Sequence, residues 1–179
     1  MVKSDFENKS LVLIIHIGYI LNLLFSWFGF FSIPGSGTQI LNYQIGNAFA
    51  ISASVMAGRY TGLRGQHVAA SGYILLGIAH GISLAALGKG GIIPDKEATM
   101  AIPMIPALIF MLWCNIYPKW LRIFALVPSI FFILVFVHVH LGDTLFGLTL
   151  YSGYGTLQMN EVLWGIFLFR DWKQLQTKK

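Results

Sequence analysis

The stretch Tyr151–Gly165, YSGYGTLQMNEVLWG, lies inside an apolar segment long enough to cross a bilayer, yet it carries Tyr151, Tyr154, Gln158 and Glu161. At roughly 100° per residue these four side chains fall within about 80° of one another on a helix. Gly155 and Gly165 lie close to the same face. A carboxylic acid deep in a membrane helix is costly, so this stripe is expected to face protein or a water-filled cavity rather than lipid.

The remainder of the chain supplies that membrane context. Of 179 residues, 56% are hydrophobic and 11% charged, with a mean hydropathy of +0.69. Soluble domains carry about 25% charged residues. The predicted fold class is therefore all-α, a polytopic integral membrane helical bundle read as a single domain over 1–179. The first apolar run, Leu11 to Ile33, exceeds the roughly 7–15 residues of a signal-peptide core and is expected to be a retained membrane helix. The single cysteine, Cys114, sits in an apolar run and reads as a buried small hydrophobe.

A transmembrane helix needs about 20 mostly apolar residues. Six segments qualify, at about 11–33, 42–59, 66–87, 100–117, 120–141 and 145–169. Breakers separate them: Pro34 to Gly37, Gly62 to Gly65, Gly88 to Pro94, Pro118-Lys119 and Gly142-Asp143. If six helices alternate, ten of the twelve basic residues fall on one side, and only Lys89 and Lys96 on the other, offset by Asp95 and Glu97. The positive-inside rule then makes both termini cytoplasmic and explains the net charge of +5 without nucleic acid. The expected setting is a lipid bilayer, best matched by a bacterial cytoplasmic (inner) membrane.

Small residues recur at helix spacing: Gly46, Ala50, Ser54 and Gly58 on the second helix, Gly77 and Gly81 on the third, and Gly18, Asn22, Ser26 and Gly29 on the first. Such faces permit close backbone approach. Packing within the chain is their simplest use, and a homodimer through helices 2 and 3 is the alternative. Pro103 and Pro106 are expected to kink or unwind the first turns of the fourth helix.

With this orientation, Asn47, His80, Tyr151 and Tyr154 lie in the outer half and Gln158 and Glu161 at or below the middle. Together they predict an outward-opening polar cavity. Three chemistries fit the parts. The first is small-molecule, ion or proton binding and transport along Asn47, His80, Tyr151, Tyr154, Gln158 and Glu161. The second is a redox protein holding b-type haem between His80 and His138 or His140. The third is a hydrolase with a divalent metal held by His80, His138, His140 and Asp143. HxH on a regular helix splays its two rings, which weakens the metal reading. No nucleophile motif, phosphate-binding glycine loop or CxxC is present. An accessory subunit of a larger membrane complex is the non-catalytic alternative, against which Glu161 counts. Transport ranks first.

Overall fold

The computed structural model describes residues 2–88, 91–142 and 146–177. Within them the chain is helical apart from a two-residue antiparallel ladder, β1 (Leu87–Gly88) with β2 (Gly91–Ile92). The helices are α1 (Val2–Phe30), α2 (Gly37–Leu63), α3 (His67–Ala86), α4 (Pro94–Phe110), α5 (Lys119–Phe124), α6 (Leu126–Leu141) and α7 (Phe146–Thr177). A 3-10 turn, Met111–Trp113, prolongs α4, and α5 and α6 run on as one apolar rod over Lys119–Leu141.

These elements form six rods arranged as a ring. Each packs chiefly on its two neighbours: α1 on α2 and α7, α2 on α3, α3 on α4, α4 on α6, and α6 on α7. Short connections reverse the chain at every step. Arg59, Arg64, Lys119, Arg122, Arg170 and Lys173 therefore gather at one end of the ring, with the start of α1 and the end of α7.

Four helices are long and apolar enough to span a membrane: Lys9–Phe30, His67–Ala86, Pro94–Trp113 and Lys119–Leu141. Large apolar side chains on the outer faces, among them Ile17, Ile78, Ile102 and Ile130, are exposed. The less apolar rods, α2 and α7, turn polar groups into the ring: Asn47 on α2, Gln158 and Glu161 on α7. Their low apolarity and their contribution to the interior have one cause.

Most of the small-residue positions pack within the chain, while a Cβ added at Gly81 on α3 would meet nothing within 4 Å. A Cβ added at Gly18 would lie 2.9 Å from that of Ala53, and one at Gly46 3.2 Å from both Asn22 Oδ1 and Ser26 Oγ. Gly58 meets Ala70 and Ile74 of α3, and Gly77 meets Ser54 and Val55 of α2. Thus α1 and α3 occupy the stripe on α2. At the start of α2, Ser36 accepts a hydrogen bond from the Gln39 amide (3.1 Å), as an N-cap should.

The fourth helix differs most from expectation. It begins at Pro94, not near residue 100, and stays continuous through Pro103 and Pro106. Proline fits the first turn because the missing N–H has no intrahelical partner there, and Asp95 and Glu97 in the same turn complement the helix dipole. The helix ends early, and Cys114 to Pro118 form the turn into α5. Elsewhere the helices outrun the apolar windows by polar turns, as at α7, which continues to Thr177.

Candidate functional site

The polar groups that the stripe on α7 announces meet partners from four other rods inside the ring. Glu161 is fully buried. Its Oε1 lies 2.8 Å from Nε2 of His80 on α3, and its Oε2 accepts a 2.7 Å hydrogen bond from Nδ2 of Asn22 on α1. His80 Nδ1 sits 2.9 Å from Oδ1 of Asn47 on α2. Asn47 in turn donates from Nδ2 to the carbonyl of Tyr43 at 3.0 Å.

That chain of contacts fixes a proton count. With its Nδ2 donating to Tyr43, Asn47 presents an acceptor to His80, so Nδ1 of the imidazole carries hydrogen and donates. A proton must then also lie between His80 Nε2 and Glu161 Oε1, since two lone pairs would repel at 2.8 Å. Held on nitrogen it gives an ion pair, held on oxygen a neutral pair. In both cases the unit is neutral overall and holds one exchangeable proton.

A second carboxyl group lies nearby. Glu97, buried in the first turn of α4, meets Ser83 of α3 at 3.2 Å and Tyr154 of α7 at 2.9 Å, while the Tyr154 hydroxyl is 2.6 Å from Ser83 Oγ. Both clusters border one cavity of about 400 Å³, within the range of small-ligand sites. Asn22, Asn47, His80, Ser83, Glu97 and Gln158 are its polar lining, and Trp27, Phe30, Phe31, Tyr43 and Tyr151 its aromatic lining. It lies at the end of the ring opposite the basic residues, where α1 and α3 finish and α2, α4 and α7 begin. Glu161 stands one layer behind this lining and reaches it through Asn22 and His80.

Towards the basic end the interior is filled. Tyr19 bonds to Ser54 (3.2 Å), and Tyr73 bonds to Tyr117 through their hydroxyls. Trp164, one turn beyond Glu161, meets Tyr73 edge-on (5.8 Å, 88°) and stacks on Tyr117 (6.3 Å, 20°). Past this plug, Asp171 receives two hydrogen bonds from Arg64, at 2.9 and 3.2 Å, and one from Tyr60 at 2.8 Å. Cys114 is buried beside it, and burial pushes its thiol up to about 11. It therefore stays protonated at neutral pH and is no reactive nucleophile.

Of the residues singled out from sequence, Asn47, His80, Tyr151, Tyr154 and Gln158 line the one cavity, and Glu161 backs it. His138 and His140 are on α6 and do not line it; His140 is exposed and bonds Phe136 of its own helix at 2.8 Å. Asp143 lies outside the described residues. Both ring nitrogens of His80 are engaged by Asn47 and Glu161. Among the described residues, no group of three or more His, Cys, Asp or Glu is placed to hold a metal ion.

Two participants were read otherwise in the sequence. Glu97 looked like a loop charge balancing Lys89 and Lys96, and Asn22 like part of a packing face. The signal for Glu97 was present: a proline followed by acids is a helix start, which draws Glu97 into the ring. Asn22 carried no such signal. Comparison with protein-family models, curated proteins and solved structures finds no match to this chain.

Proposed function

We propose that the chain is a six-span membrane protein with both termini in the cytoplasm, and that it binds and moves a small molecule, ion or proton through an outward-opening cavity. A bacterial cytoplasmic membrane is the setting we assign. The observation that carries this reading is the Glu161–His80 pair, which holds one proton at the base of a cavity whose far side is plugged. A buried acid and imidazole sharing a proton is a device for taking up and releasing protons, and its position under an accessible cavity gives that proton a route. The asymmetry of the ring agrees with transport: one end is hollow, the other is shut by aromatic packing and the Arg64–Asp171 pair. The basic residues at the shut end favour its placement in the cytoplasm.

The test uses the purified protein in proteoliposomes with a trapped pH-sensitive dye and an imposed pH gradient. Wild-type vesicles are expected to move protons faster than empty ones, and Glu161→Gln, which keeps the shape but not the exchangeable acid, to abolish the difference. Equal flux through wild type and Glu161→Gln overturns the reading, as does flux no greater than in empty vesicles. Topology is checked separately by maleimide labelling in intact cells. Thr38→Cys should label from outside and Leu63→Cys only after permeabilisation; both positions are exposed and Cys114 is buried.

A further inference from the structure

The Ser83 and Tyr154 hydroxyls and the two carboxyl oxygens of Glu97 beside the cavity also obey a proton count. They make three mutual contacts, of 2.6, 2.9 and 3.2 Å, but the two hydroxyls bring only two protons. A third proton on the Glu97 carboxyl closes the ring, each member giving one hydrogen bond and taking one. With Glu97 ionised, the single hydrogen of the Tyr154 hydroxyl must serve both Ser83 Oγ and Glu97 Oε2. The three contacts are therefore best satisfied with Glu97 protonated, and a positive charge in the cavity would displace that proton.

The cavity walls say which charge that is. No Lys or Arg lines the cavity among the described residues, so an anion would find no permanently charged partner. The titratable groups that line the cavity with Glu97 are His80 from α3, Tyr154 and Tyr151 from α7, and Tyr43 from α2; α1 lines it with uncharged residues only. On its own helix Asp95 and Lys96 are exposed, and Lys96 donates to the carbonyl of Ala85 at 3.2 Å. The same cavity is lined by Trp27, Phe30, Phe31, Tyr43 and Tyr151. Aromatic faces attract cations as well as apolar groups.

We infer that the cavity takes a small organic cation with an apolar body, an amine or a quaternary ammonium, and that Glu97 releases a proton as the cation binds. This rests on reading the cavity as a ligand site. The exchange balances: the O–H bond of the carboxylic acid breaks, the proton leaves to solution, and the carboxylate keeps the electron pair as counter-ion to the bound cation. One positive charge enters and one departs. The Glu161–His80 proton is a separate one and is not consumed.

The test is calorimetric titration of the protein in lipid nanodiscs with 2-phenylethylammonium and with 2-phenylethanol, its uncharged near-isostere, against empty nanodiscs. The cation is expected to bind at least about tenfold more tightly, the scale of a charge-assisted contact with aromatic support. Titration in two buffers of different ionisation enthalpy should report about one proton released per cation bound, as the inferred exchange on Glu97 requires. Glu97→Gln should lose both the preference and the release. Should that variant fail to fold, the infrared difference spectrum of wild type decides: the carbonyl band of a protonated carboxyl group should disappear on adding the cation. Equal binding of alcohol and cation, binding without proton release, or no binding of either overturns the inference. Failure of the transport reading shows elsewhere, in the Glu161→Gln vesicles.

Discussion

The two ends of the ring handle buried polar groups in opposite ways. At the cavity end, Glu97, Glu161 and His80 are withdrawn from solvent and satisfied only by one another, by Asn22, Asn47, Ser83 and Tyr154. At the basic end, Asp171 and Arg64 pair at the surface, with side chains 17% and 36% exposed, above a plug of Tyr73, Tyr117 and Trp164. The first arrangement buries its ionisable groups among protein partners, and the second keeps the Arg64–Asp171 pair partly in water. A fold that needed only stability would repeat the second at both ends, since apolar and aromatic packing carries no risk of an unpaired charge.

Breaking the contrast at its strongest point means truncating Glu161. Glu161→Ala removes the buried acceptor shared by His80 and Asn22 and is expected to cost about 3–5 kcal/mol in reversible unfolding in mixed micelles. A loss below about 1 kcal/mol would mean that water reaches the site and that the two ends are alike after all. Sharpening it at the filled end, Gly72→Ala places a Cβ 2.9 Å from the Ala107 carbonyl and 3.0 Å from Phe110 Cβ. Backbone must shift, so the same assay should show a loss of about 1–3 kcal/mol with no change in the cavity. The smallest effect belongs to the surface pair. Asp171→Asn should cost about 1 kcal/mol or less, falling further in high salt, because solvent already screens both partners. A larger, salt-insensitive loss would show that the basic end also depends on buried charge.

How much of this was legible before the structure follows from what each residue's surroundings must supply. Helix positions follow from apolar length, because a segment that cannot pair its backbone elsewhere must pair it internally. The stripe Tyr151–Tyr154–Gln158–Glu161 was legible because helical geometry places those residues on one face whatever they touch. His80 and Asn47 could be ranked with them by depth alone. The start of α4 was legible in principle from Pro94 and the acids after it, but a window of hydropathy averages that signal away and moved the helix inward by about two turns. The prolines at 103 and 106 show the limit of a local rule: packing of α4 against α3 and α6 holds the helix through both.

Sequence alone determined that the chain is a bundle of apolar helices, that most of its basic residues share an end, and that an acid on the last helix is costly to expose to lipid. These depend on composition, period and sign of charge, which are properties of the chain before it packs. Only the tertiary structure decided the partners. Asn22 and Glu161 are 139 residues apart and His80 and Glu161 are 81 apart. No periodicity connects such positions; closing six rods into a ring does. The stripe on α7 thereby became one wall of a site whose second acid, Glu97, comes from a helix turn that hydropathy placed outside the membrane.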